Sequence, residues 1–400
     1  MDFAVRDEME MLLATVRRFI AVELRPLEQD VEDRGELLPE KAKAIFDKSQ
    51  SIGLYAMNAP EKWGGAGLNA VETMLVEEQF GHTTDILIRR AFGNVYEVLF
   101  GADEIQRQRW LLPCVRGERT ASIAITEPEA GSDAAAISTT AARTGKGWKI
   151  NGTKHFISDA RFSDFFIVSA VTARRERRNE ISLFLLDKGT PGFEVGRNQP
   201  MMGLSGTSHC ELSFDDVEVG DESLLGEPGS GLTQILTTLG RVRLAQVGAR
   251  SVGKACHVLD LMLAHAANRR QFGRPLGEFQ MVQQLIADSV IDINSARLMV
   301  LRAAWEIDCG RDARDWISMV KVHAAEAVGR VVDRAVQVFG GMGYCKDLPI
   351  ERYFRDARIA RIYDGASEIH RMVLARDALR SGSLLFDSVA SGGWRSIADA

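Results

Sequence analysis

Cysteine is scarce in this 400-residue chain: Cys114, Cys210, Cys256, Cys309 and Cys345 are odd in number and scattered, with no Cys-x-x-Cys spacing. That argues against a disulfide framework, and with no histidine cluster to complete a site no zinc or other metal is expected. Long apolar runs are missing too, so no segment reaches membrane-spanning length. Positive charge is not in excess: the formal net charge of −6 argues against a nucleic-acid partner. The local run Arg174-Arg175-Glu176-Arg177-Arg178 reads as a solvated hairpin tip. Two nucleotide-binding signatures are absent, the strand-linked Gly-x-Gly-x-x-Gly and the phosphate loop ending in Gly-Lys-Ser/Thr, which argues against a Rossmann enzyme. The N-terminal stretch has neither a secretory apolar core nor an acid-poor transit character, so the expected location is cytoplasmic.

What is present is the composition of a globular protein, 46% apolar and 26% charged, long enough for two or three domains. Apolar residues follow the helical period from Arg6 to Leu24, and helices are expected over 40–52, 69–80, 85–100 and 102–116. Near Ala121 the period changes to two. Asn151-Gly152 is a type I′ hairpin signal, and further strands are expected at 165–170, 181–186, 193–196, 210–214 and 217–219. After Gly226-Glu227-Pro228-Gly229-Ser230-Gly231 the helical period returns over 232–268, 277–308, 313–339 and beyond Asp364. The chain is therefore expected to be mainly α with a small β domain. Its expected parts are an N-terminal helical domain (1–120), a middle β-sandwich or barrel (121–228), a C-terminal four-helix bundle (229–380) and a tail of no assigned role (381–400).

Three stretches carry chemistry. Asp364 stands with Gly365 in a turn between two helical patterns, inside Arg361-Ile362-Tyr363-Asp364-Gly365-Ala366-Ser367-Glu368-Ile369; alone, an Asp there reads as a helix cap. Thr126-Glu127-Pro128-Glu129-Ala130-Gly131-Ser132-Asp133 ends a strand, and a helix starting there would offer free N–H groups to an anion such as a pyrophosphate; alone, it reads as a capped turn. Asn268-Arg269-Arg270-Gln271-Phe272-Gly273 and Gln337-Val338-Phe339-Gly340-Gly341 offer a guanidinium fork and a close backbone approach. Alone, these read as a surface arginine and a helix C-cap.

Together, in this order, these runs and the loop Pro60-Glu61-Lys62-Trp63-Gly64-Gly65-Ala66-Gly67 resemble the acyl-CoA dehydrogenases over about Asp7 to Leu379. The resemblance implies FAD as cofactor, held by Ile125, Thr126, Ser132, Phe156, Ser158, Ala366 and Glu368. It also implies contacts from a neighbouring subunit through Arg269, Phe272, Gln337, Gly340 and Gly341. Phe156 stands where the family has a Trp over the flavin, keeping an aromatic face without the indole donor. Asp364 stands where the family's catalytic Glu removes the substrate α-proton. Ser132, Arg241 and Gly365 are implied at the substrate, and Arg89 and Arg90 fall on the helix bordering the acyl pocket. The family's second position for a base lies beside an Arg in the helix opening the third domain; here Gly240 precedes Arg241, so no carboxylate waits there. The implied partners are an acyl-CoA substrate, an electron-transfer flavoprotein and further copies of the chain as a homotetramer. The Asp is also what a related flavoprotein oxidase, nitroalkane oxidase, carries, and a flavin-bearing scaffold without turnover is the third reading.

Overall fold

The computed structural model describes residues 4–93, 95–175 and 178–381, so Glu176, Arg177 and the tail beyond Ser381 lie outside the described residues. In chain order its principal helices are α1 (Asp7–Phe19), α2 (Pro39–Ser51), α3 (Ala70–Phe80) and α4 (Asp85–Phe92). The strands are β1 (Ala121–Ala124), β2 (Thr140–Thr144), β3 (Gly147–Ser158), β4 (Phe165–Arg175), β5 (Arg178–Asp187), β6 (Phe193–Asn198), β7 (His209–Val219) and β8 (Leu224–Leu225). The later helices are α5 (Gly231–Val242), α6 (Arg250–Asn268), α7 (Gln280–Asp308), α8 (Arg314–Phe339), α9 (Ile350–Arg358) and α10 (Ser367–Ser381).

Contacts divide the chain into two units: a bundle unit of residues up to Arg25, Asn69–Thr84 and everything from Gly240, and a sheet unit of Pro26–Leu68 and Asp85–Leu239. The first 120 residues are thus shared between the two. In the sheet unit the strands run β6-β7-β3-β2-β4-β5-β8, with β1 parallel to β4. The two halves of this sheet join at one pair, Thr140 with Val171. Alternation on β4 explains its double burial. Phe166 and Val168 pack with Trp148, Phe184 and Leu212 inside the sheet, while Phe165 and Ile167 pack with Trp110 and Leu111 of the helical segments.

In the bundle unit α8 lies at the centre, its valines and alanines buried against α6, α7 and α10. Helix α3 docks by its N-terminus: Asn69 and Glu72 form a capping box, and the Asp308 carboxylate accepts from the Ala70 and Val71 N–H groups at 2.7 and 3.0 Å.

Two local expectations fail for identifiable reasons. The helix expected over 85–100 stops at Phe92, because Gly93 adopts φ +67° beneath the Tyr55 ring, whose Cζ a Cβ would meet at 2.6 Å. Asn151-Gly152 is no hairpin turn but lies within β3, where the ladder to β7 shifts register between Ile150 and Gly152. A Cβ on Gly152 would stand 2.7 Å from Thr139 Cα, and its φ is +147°. The glycine therefore serves a close approach of two chain segments; the actual β2–β3 hairpin closes over Gly145-Lys146. Gly152→Ala should accordingly lower stability by about 3 kcal/mol through overpacking and backbone strain, while Gly145→Ala, with open space around it, should change it little; urea denaturation of the two variants compares them.

Candidate active site

In the bundle unit the chain leaves α9 through a short turn at Ile359–Arg361 and reverses into α10. Two successive left-handed residues make the reversal, Asp364 at φ 54° and Gly365 at φ 89°. Asp is among the few side chains that tolerate this region, whereas a Cβ on Gly365 would press on His370 Nε2 at 3.0 Å. The turn is held at its carbonyl: Arg243 Nε donates to Asp364 O at 2.6 Å, and buried His370 places Nε2 3.5 Å from the same oxygen. The Ser318 hydroxyl lies 3.1 Å from His370 Nδ1 and orients the ring. Burial, reinforced by the Arg243 charge, lowers the His370 pKa to about 4. A neutral imidazole therefore faces the turn at neutral pH.

In the sheet unit, β1 ends at Ala124 and the next three residues are fixed by one buried ion pair. Lys154 Nζ donates to Ile125 O (2.9 Å), Glu127 Oε1 (2.9 Å) and Ser169 Oγ (3.0 Å). Glu127 also accepts from the N–H groups of Ser138 and Thr139 and from the Ser138 hydroxyl. Burial opposes the Glu127 charge, but Lys154 and these donors pull its pKa down to about 2. Thr126 stands between the two clamped residues, and its carbonyl accepts from His155 N–H at 2.8 Å.

A register shift between Lys154 and Ile157 on β3 turns Phe156 out of the ladder at φ 57°, half exposed. His155 stacks on its ring at 4.0 Å, with Gln199 Nε2 2.8 Å from His155 Nε2. Ser132 and Asp133 lie in a turn with no helix behind it; Asp133 caps only Ala135 N–H at 3.2 Å, so the helix start expected for a pyrophosphate is absent.

Three family models match the chain: the acyl-CoA dehydrogenase N-terminal domain over residues 6–118, the middle domain over 122–217 and the C-terminal domain over 229–379. The human mitochondrial short-chain specific acyl-CoA dehydrogenase is 37% identical over 93% of this chain and 90% of its own length. The acryloyl-CoA reductase (NADH) of Anaerotignum propionicum is 35% identical over 95% and 96%. The structure of butyryl-CoA dehydrogenase from Megasphaera elsdenii superposes with a TM-score of 0.87 at 31% identity, covering 95% of this chain and 100% of that one. The chain belongs to the acyl-CoA dehydrogenase family. It is an oxidoreductase of CH–CH bonds with FAD as cofactor.

The residues present suit that cofactor. Phe156 offers an exposed aromatic face on a rigid bulge. The run at 268–273 and the run at 337–341 are brought together, since His265 stacks on Phe339 at 4.1 Å at the root of both. Phe272, at the tip of the two-stranded hairpin of Arg270–Gln271 and Arg274–Pro275, is 94% exposed, and added side chains at Gly340 and Gly341 would meet nothing. Arg269 and Gln337 are exposed beside them, and Ala366 and Glu368 stand where the Asp364 turn enters α10.

Of the residues implied at the substrate, Arg241 is exposed, and it is Arg243, two residues on, whose Nε donates to the Asp364 carbonyl. The helix widens over Arg243–Ala249, beginning at the arginine that meets the turn. Val242 precedes Arg243, so this position also lacks a carboxylate. Arg89 and Arg90 are half-buried and balanced by acids: Arg89 Nε donates to Asp85 at 2.5 Å, and Arg90 Nη2 lies 3.2 Å from Asp159.

Sequence reasoning missed Arg243, His370, Ser318 and the Glu127–Lys154 pair. A polar residue recurring inside an apolar helical or strand pattern was the available signal. Because His370 is neutral when folded and has an ordinary pKa of 6.5 when unfolded, it adds stability above pH 6.5 that is lost as pH falls toward about 4. His370→Gln should therefore lose less stability on acidification across that window, by about 1.4 kcal/mol per pH unit, in urea denaturation at pH 7, 6 and 5.

Proposed function

We propose that this acyl-CoA dehydrogenase oxidises an acyl-CoA thioester to the trans-2-enoyl-CoA, with Asp364 as the base that takes the α-proton. The observation carrying this reading is the strained Asp364-Gly365 turn, fixed at its carbonyl by Arg243 and His370. A side chain that must meet one C–H bond needs a rooted backbone, since a misplacement of about 1 Å can cost on the order of a hundredfold in rate. Asp is shorter than the family's Glu by one methylene, so the rooting matters more here. The Asp364 N–H would be one of the donors that polarise the thioester carbonyl, which acidifies the α-carbon. Bound FAD supplies the acceptor for the hydride leaving the β-carbon.

Ile125, Thr126, Ser132, Phe156, Ser158, Ala366 and Glu368 are the residues of the chain proposed to hold that cofactor, and Ser132, Arg241 and Gly365 are those proposed at the substrate. Arg269, Phe272, Gln337, Gly340 and Gly341 would reach it from a neighbouring copy. An aromatic side chain as exposed as Phe272 supports a covering chain, and a homotetramer is the assembly proposed. Electrons would pass to an electron-transfer flavoprotein, as part of fatty acid metabolism in the cytoplasm. Among the described residues no helix is long and apolar enough to cross a membrane. Arg89 and Arg90, ion-paired with Asp85 and Asp159, are proposed to border the acyl pocket.

The Asp itself favours one second reading, a related oxidase acting on a more acidic substrate such as a nitroalkane; oxygen consumption during turnover separates it from the dehydrogenase. Asp364→Asn keeps the shape of the turn and removes the base, so bleaching of the flavin by an acyl-CoA should slow by at least about 10²-fold. Asp364→Glu should retain or raise that rate in a dehydrogenase; a loss through overpacking would favour a site shaped around Asp. Near-normal bleaching in Asp364→Asn would remove this residue from the mechanism.

A further inference from the structure

Helix α8 is buried on nearly every side by small apolar residues such as Val320, Ala324, Val328 and Val331. Lys321 is the one charged residue among its buried positions. It is fully buried, and its Nζ makes no hydrogen bond among the described residues. An ammonium taken out of water without a counter-charge costs several kcal/mol, so its surroundings must hold a reason for it.

Position on the helix supplies one. Ser318, Lys321 and Ala325 lie three and four residues apart and share a face of α8. Ser318 at one end contacts His370, which faces the Asp364 carbonyl. Ala325 at the other packs with Val247 and Ala360 alongside Tyr363, the residue before Asp364. Lys321 is therefore bracketed by one contact to His370, which faces the turn, and one beside Tyr363, which precedes it. Burial lowers its pKa to about 8; Asp364 is the strongest charge acting on it and opposes that fall, Arg243 reinforces it, and Glu368 and Glu326 oppose it more weakly. The other nearby charges are engaged elsewhere: Arg361 and Arg371 with Glu326 at 3.0 and 3.3 Å, and Arg330 and Arg334 of α8 with Asp292 of α7 at 2.5 and 2.7 Å.

We propose that Lys321 is a positioning residue for Asp364, a buried ammonium that keeps the Asp364 carboxylate, whose Oδ2 is buried, ionised. This rests on the reading of Asp364 as the base. It accounts for a lysine where packing alone would place a methionine, and it makes the base competent in surroundings that disfavour charge. Glu127 and Lys154 meet the same cost by direct hydrogen bonding; Lys321 meets it by charge alone.

Two measurements test this. In urea denaturation of the cofactor-free protein at pH 7, Lys321→Met should destabilise the parent more than it destabilises Asp364→Asn, because in the second background the ammonium has lost its carboxylate. Equal effects in the two backgrounds would overturn the proposal, whatever reaction the protein performs. In the FAD-loaded protein, the acid limb of the rate of flavin bleaching by an acyl-CoA should move up by about one pH unit in Lys321→Met and return toward the parent's in Lys321→Arg. A plateau that falls while the limb stays in place would assign Lys321 to packing and overturn the proposal. Absence of bleaching by any acyl-CoA in the parent would refute the dehydrogenase reading instead, leaving the denaturation comparison to decide on the pair.

Discussion

Two adjacent left-handed residues set the direction of α10 and the origin of the only carboxylate in the Tyr363-Asp364-Gly365 turn. Such a pair costs on the order of 1–3 kcal/mol when one member is not glycine, and it persists because Arg243 and His370 both address its carbonyl. Their placement depends in turn on the widened helix at Arg243–Ala249 and on Ser318 of the central helix. The apolar core of the bundle unit thus supports a polar cluster that core packing alone would not create. On the proposed mechanism, that cluster is where a substrate's α-proton is met by a side chain of fixed origin.

The two buried lysines show two ways of keeping a charge out of water. Lys154 is satisfied three times over and shares Glu127 with the N–H groups of Ser138 and Thr139, so the strand end carrying Thr126 has no freedom to drift. Lys321 has no hydrogen bond among the described residues and stands under the influence of Asp364. A fully bonded pair rigidifies a loop, whereas an ammonium held only by charge responds to the state of its carboxylate. On the proposed reading, the first serves a cofactor platform and the second a proton-transfer site.

Much of this was legible in the sequence because the chemistry is local there. The helical period of α1, α3 and α8, the switch to period two at Ala121, and the Tyr-Asp-Gly turn each depend on residues within one short stretch. The family was legible because the order of motifs is long and specific. What escaped was long-range. Gly152 looks like a turn residue until Thr139 is seen against it, and the Arg243 contact with Asp364 O joins residues 121 positions apart. The pairing of Glu127 with Lys154 spans 27 residues and leaves no spacing signature. Lys321 is one of seven charged residues in its helix, and only the structure singles it out as the buried one.

The central claim is that Asp364 takes the α-proton, and hydrogen exchange at that carbon reads it without reference to the electron acceptor. FAD-loaded protein incubated anaerobically with an acyl-CoA in D2O should incorporate deuterium at the α-carbon, detected by mass spectrometry, and Asp364→Asn should lose that exchange while keeping its flavin. Undiminished α-exchange in Asp364→Asn would contradict the account and place the base on another residue.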